Sequence, residues 1–180
     1  MGCRSTIDRG KVLDAAERLV TDYGAASLTI GGVANAAGIG KSGVQSSFRS
    51  KEGLIEAMLI RWGESYERSL EALAGKSPDP MSALRAHVGV TLGGGETNAR
   101  GAALVAALLQ SPHHLTWVRD WYGSRFRDID DLCRLLGMRA RMVFFATEGL
   151  FFLHHLGLMG LSPTDWQRYI HEIVTLADAQ

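Results

Sequence analysis

Thr29-Ile-Gly-Gly-Val-Ala-Asn-Ala-Ala-Gly-Ile-Gly-Lys-Ser-Gly-Val-Gln-Ser-Ser-Phe-Arg-Ser-Lys51 is the stretch on which the fold turns. It reads as two short helices meeting at Gly38. Ala34 is small enough for two helices to cross closely, Gly38 can take the positive φ of a tight turn, and Val44 anchors the second helix. Val44 and Phe48, four apart, face inward, while Lys41, Ser42, Gln45 and Arg49 fall on the opposite side. This is helix-turn-helix spacing, and a polar helix face held by a rigid turn suits a DNA major groove. Thr29 is placed to cap the first of the two helices. Gly31 and Gly32 lie in its first turn, where glycine costs up to ~1 kcal/mol per residue of helix propensity. Packing must therefore hold the turn together, and exposed N–H groups with no side chain in the way allow the close approach of a phosphate. Gly40 stands where the second helix would favour a serine cap, and Gly43 lies inside it, so the reading helix is marginal without DNA.

Working outward, Ser5 or Thr6 is expected to cap a preceding helix with Asp8 in its first turn. Val12, Ala16, Leu19, Val20 and Tyr23 form its apolar stripe, and Gly24 ends it. Arg4 and Arg9, at its start, either reach a phosphate or the minor groove, or are solvated charges. On the other side a helical pattern runs from Ser50, as cap, to about Ala74 through Leu54, Ile55, Met58, Leu59, Trp62, Tyr66, Leu70 and Leu73. A helix of that length spans ~35 Å and can join a small head to a larger body. Further helices are expected over 81–92, 99–110, 112–136, 139–157 and 163–177, with breaks at 75–80 and at Gly93-Gly94-Gly95. Leu115, Val118, Tyr122, Ile129 and Leu132 form the core stripe of the longest of these. Trp117 and Trp121 stand on a neighbouring stripe, as core, subunit interface or ligand box. The expectation is therefore an all-α chain of about nine helices, with residues 1–52 a DNA-binding head and 53–180 a helical body for effector binding and dimerisation.

Composition agrees with a globular protein: 180 residues, 46% of them hydrophobic, at zero formal net charge. The balance is uneven, because residues 1–51 carry seven basic and four acidic side chains, leaving that stretch at +3 and residues 52–180 at −3. Only the head is suited to meet phosphate. Two cysteines, Cys3 and Cys133, cannot build a disulfide framework, and no signal-type N-terminus is evident, so a cytoplasmic location is expected. The apolar run 142–161 is interrupted by Glu148, His154 and His155, and reads as a buried helix rather than a membrane span.

Other chemistries fit poorly. Gly40-Lys41-Ser42 is the tail of a nucleotide-binding P-loop, but that pattern needs glycine at position 35, which is Asn, and a preceding β-strand. His113-His114 and His154-His155 are adjacent pairs whose rings diverge on a helix, with no cysteine or carboxylate one turn away, so no metal is expected. No hydrolase signature appears, and neither catalytic residues nor a cofactor are expected.

The run Thr29…Val33-Ala34…Ala37-Gly38-Ile39…Lys41…Val44…Phe48-Arg-Ser50-Lys51-Glu52…Leu54 resembles the N-terminal domain of the tetracycline-repressor (TetR) family. The likeness covers roughly residues 9–60. It implies an all-helical homodimer that binds a palindromic double-stranded operator and releases it when a small effector enters a divergent body. Carried over by position, Thr29 and Lys51 would grip phosphates, and Lys41, Ser42 and Gly43, with Gly40 at their cap, would lie over base edges. The family's usual tyrosine is here Gln45, which can bond an adenine edge or hold a phosphate more weakly. Ser46 and Ser47 are short and suit phosphate contacts. The last two helices would pair with their symmetry mates as a four-helix interface.

Within the body, Glu148 stands in a run of aromatics where an unpaired carboxylate is costly. It either pairs with an arginine or histidine as a structural lock or faces the effector cavity. Trp62, Tyr66, His87, Trp121 and Phe152 are the other candidates for lining that cavity. A helical ligand-binding dimer without useful DNA affinity is the alternative that Gln45 and the glycines leave open.

Overall fold

The computed structural model describes residues 7–76, 78–93, 95–108 and 112–179, except for some side chains in its sixth and seventh helices. The described elements are all helical: α1 (Arg9–Tyr23), α2 (Ile30–Ala37), α3 (Lys41–Phe48), α4 (Lys51–Ala74), α5 (Pro80–Gly93), α6 (Gly95–Leu108), α7 (Pro112–Leu136), α8 (Met138–His155) and α9 (Pro163–Asp178), with a 3-10 turn at Ala25–Ser27. No strand occurs among the described residues, and Val33 to Ala37 belong to α2, which removes the P-loop reading. No helix among them is long and apolar enough to cross a membrane.

The caps follow from local chemistry. Asp8, expected in the first turn of α1, is instead its N-cap, accepting from the Lys11 N–H; a short carboxylate in extended backbone outcompetes its use inside the helix. Ser5 and Thr6 lie outside the described residues, as do Cys3 and Arg4 and the side chains of His113, His114, Leu115, Ile129, Leu132 and Cys133. Ser50 caps α4 by accepting from the Gly53 N–H, and Ser162 caps α9. Asp79 caps α5, accepting from the N–H groups of Met81 and Ser82 at 3.0 and 3.1 Å. α5 ends at Gly93 and α6 begins at Gly95, four residues before the expected start; Gly94 lies outside the described residues.

Two apolar clusters hold the chain together. The first joins α1, α2, α3 and the start of α4 around Val12, Ala16, Val33, Val44, Leu54 and Met58, and it takes in Leu104 from α6. The second packs α5, α8 and α9 around Leu84, Val88, Val143, Phe144 and Ile173. Tyr23 and Leu73, expected on buried stripes, are exposed at 74% and 64%. Each stands in the last turn of its helix, where the stripe outruns the helices that cover it. His154 stacks on Trp166 at 4.1 Å and His155 lies 4.9 Å from Phe151, so this pair packs as aromatic rings.

Candidate DNA interface and effector cavity

The turn between α2 and α3 is built as its residues dictate. Gly38 takes φ 67° and ψ 31°, the left-handed conformation open to glycine at no steric cost. Gly32 is needed for a second reason: a Cβ there would come within 3.0 Å of the Ser27 carbonyl oxygen and 3.2 Å of Leu19. Close approach of α1 and the 3-10 turn thus accounts for one of the paired glycines. Gly31 makes room for Lys41, whose Cε and Nζ would lie 3.0 and 3.4 Å from a Cβ at that position. Lys41 therefore folds back toward the first turn of α2, the helix that Thr29 caps by accepting from the Gly32 N–H at 3.0 Å.

On α3, Val44 and Phe48 are buried while Lys41, Ser42, Gln45 and Ser46 are exposed. Gly40 caps the helix without a side-chain bond. Gly43 and Ser47 are half-buried. A Cβ on Gly43 would come within 2.8 Å of Ile7, so this glycine lets the segment before α1 approach the helix. The Ser46 hydroxyl donates back to the Gly43 carbonyl at 2.9 Å. Lys51 is exposed in the first turn of α4.

Three determinants of this head escaped the sequence reading. Arg9 donates to the Ser47 carbonyl and lies 4.4 Å over the Phe48 ring, which ties the start of α1 to the end of α3. Gly53 sits so close to the end of α3 that a Cβ would overlap the Phe48 carbonyl oxygen. Arg49 holds a positive φ of 63° at the end of α3, the one non-glycine residue to do so among those described. Two of these need the third dimension; only the glycine three residues after a serine cap was open to sequence.

The expected cavity residues do not share one cavity. His87 lines a space of about 520 Å³ between α4 and α5, walled by Leu70, Ala74, Ala83 and Ala86, floored by Phe144 and rimmed by Glu67, Glu71 and Arg125. Trp62 and Tyr66 line a cleft of about 340 Å³ elsewhere on α4. Trp121 and Tyr66 meet edge to face at 5.4 Å, with Trp62 5.1 Å from Trp121. Phe152 packs in the second apolar cluster.

Glu148 has partners of its own. Tyr122 donates to its Oε2 at 2.7 Å, and His87 Nε2 lies 3.6 Å from its Oε1. His87 Nδ1 in turn meets the Tyr66 hydroxyl at 2.9 Å, which meets Thr91 at 2.8 Å. Burial raises Glu148 to about 7, against the hydrogen bond from Tyr122 and the charge of Arg125. Burial also lowers His87 to about 4, so the 3.6 Å contact favours a neutral pair over an ion pair. Tyr66 is pushed up to about 12 by burial, and Tyr122 is raised by burial and by the Glu148 charge. The lock reading of Glu148 accounts for these contacts, with a tyrosine as the partner that sequence did not supply.

A polar helix face on a helix-turn-helix, carried by a helical body with its own cavity, defines the class: a transcriptional regulator. Its family follows from the sequence. Residues 12–58 match bacterial regulatory proteins of the tetR family, and residues 81–178 match the tetracyclin repressor-like C-terminal domain; the chain belongs to the TetR family. No curated protein matches it. Among solved structures it is similar to a TetR-family transcriptional regulator from Rhodococcus sp., at 15% identity and TM-score 0.77 over 94% of this chain and 96% of that one. It is similar also to a transcriptional regulator from Saccharomonospora viridis in complex with choline, at 17% identity and TM-score 0.75 over 93% and 95%. The fatty acid degradation regulator FadR from Bacillus halodurans follows at 14% identity and TM-score 0.72 over 98% and 96%.

Proposed function

We propose that this chain is a homodimeric repressor that holds a palindromic operator through α3 and releases it when a small molecule enters the body. The observation that carries the reading is the separation on α3 between a buried pair, Val44 and Phe48, and a polar face that contributes nothing to the core. In this reading Ser42 and Gln45 meet base edges. Thr29, Lys41 and Lys51 hold phosphates, Lys41 because its ammonium lies beside the first turn of α2. Gly40 and Gly43 let the backbone approach, and Ser46 and Ser47 flank it. The head ends near residue 52 and the body begins beyond it, with α4 running unbroken across the division.

Dimerisation is supported by α8. Met138, Met142, Phe145 and Leu153 recur at helical spacing on one side of it, with exposures of 72%, 55%, 55% and 40%. An apolar stripe of that extent is the mark of a covered surface. The effector belongs in the 520 Å³ cavity, whose size and mostly apolar walls suit a small organic molecule. Entry there would wedge α5 from α4, and the ligand shifts DNA affinity by as much as its own affinity differs between the two head arrangements.

Selection of bound sequences from random DNA, followed by gel shifts, tests the proposal. A palindrome with half-sites about one or more turns apart, in steps of ~34 Å, is expected. Failure to enrich any sequence, with the chain still dimeric in sedimentation, would instead establish a ligand-binding dimer without DNA function.

A further inference from the structure

The cavity between α4 and α5 is apolar inside and charged at its mouth. Leu70 and Ala74 of α4 face Ala83 and Ala86 of α5, and Phe144 of α8 forms the floor. Alanine at three of these positions brings no bulk into the gap, so methyl groups line an open space. His87 adds a ring to that floor rather than a charge. Its imidazole stacks on Phe144 with centroids 5.0 Å apart and planes 23° from parallel. Nδ1 is taken by the Tyr66 hydroxyl at 2.9 Å, and Nε2 is enclosed without a hydrogen bond, 3.6 Å from Glu148. Burial lowers the imidazole to about 4, so it is neutral at physiological pH. What it offers the cavity is ring carbon.

The charges at the mouth are committed to one another. Arg125 pairs with Glu67, and its guanidinium lies 5.1 Å over the Tyr66 ring and 5.2 Å over that of Trp121. Glu71 faces Lys76 at 3.7 Å, both in contact with water. The rim thus sets two cations against two anions, with neither sign in excess. A charged ligand would lose hydration here and gain no net opposite charge. We propose that the cavity binds an uncharged aromatic molecule, seated with its rings against Phe144 and His87 between the alanine walls. Offset packing on two near-parallel rings favours a flat body, and the volume of about 520 Å³ admits roughly two or three fused rings. As an effector this molecule rests on the repressor reading; as a ligand it does not.

Three probes on one ring system test the site: naphthol, naphthoate and naphthylmethylammonium, substituted at the same ring position and titrated calorimetrically into the intact chain at neutral pH. Saturable binding of naphthol is expected, with the anion and the cation each weaker by about tenfold or more. Ala83→Leu and Ala74→Leu fill the space from opposite walls, and each weakens naphthol about tenfold or more. Ala72→Leu, exposed in the separate cleft beside Trp62 and Tyr66, leaves the affinity unchanged. Affinity is compared in whichever filled variant keeps the wild-type helix content. The uncharged class is overturned if either ion binds as tightly as naphthol. The seat in this cavity is overturned if filling leaves naphthol binding intact or if Ala72→Leu abolishes it, and the whole proposal if no probe saturates. Gel shifts on the selected DNA read the effector role separately: naphthol that binds without loosening DNA would refute that role and leave the ligand class standing.

Discussion

Tyr122 on α7 donates its hydroxyl to Glu148 on α8 across 2.7 Å, while the other carboxyl oxygen faces His87 at 3.6 Å. Folding raises Glu148 from 4.5 to about 7, so the native state binds that proton more tightly and stability falls as pH rises across this range. Folding lowers His87 from 6.5 to about 4, so stability rises with pH over that interval. The two oppose each other between 4.5 and 6.5, and above 6.5 only the decline from Glu148 remains. The stability of Glu148→Gln is expected to rise with pH up to about 6.5 and stay level beyond, gaining roughly 2–3 kcal/mol on the wild type between pH ~4 and pH ~8. Urea unfolding at a series of pH values measures this. Parallel curves for the two proteins would assign the titration elsewhere.

Gly53→Ala places a methyl group against the Phe48 carbonyl, a main-chain atom that cannot rotate aside. A loss of roughly 2–3 kcal/mol is expected, read as a lowered melting temperature. Gly123→Ala is the control, since a Cβ there meets nothing within 4 Å. Helix propensity alone would stabilise both variants by up to ~1 kcal/mol, so a gain at Gly53 equal to that at Gly123 would remove the contact as a constraint.

Phe145→Lys and Met142→Lys put charge into the exposed stripe of α8. If that stripe joins two copies, either substitution shifts the chain toward monomer in sedimentation equilibrium while helix content stays constant. A dimer unmoved by both changes would locate the interface on another face.

For DNA, Lys51→Ala is expected to weaken all sequences alike and to lower the slope of log K against log salt by about 1. Gln45→Ala is expected to relax discrimination at one base pair by about 1–3 kcal/mol. Lys41→Ala separates two roles for that side chain. Uniform weakening follows from the phosphate contact suggested by its position beside Gly31, whereas altered sequence preference follows from contact with bases.

The helices and the turn at Gly38 were legible because their signals are local: glycine at the corner, serine or threonine at the cap, apolar residues at helical spacing. Helix ends were less so, and Tyr23 and Leu73 show why, since periodicity records a face but not how far its covering partner reaches. The polar side of α3 was legible for the same local reason. The Arg9 brace over Phe48 and the Arg61 bridge to Asp14 and Glu17 were not, because each joins helices far apart in the chain and neither partner carries a spacing that marks the other. Glu148 stood between: its cost was readable from its aromatic neighbours, its hydrogen-bonding tyrosine was not.

The helix α3, whose outer face carries Lys41, Ser42, Gln45 and Ser46, is anchored to the core through Val44 and Phe48 and braced by Arg9. Those four exposed positions can consequently be rewritten with little toll on folding. A library randomised at them should yield mostly intact proteins; if this face reads DNA as proposed, new addresses become a matter of selection rather than redesign.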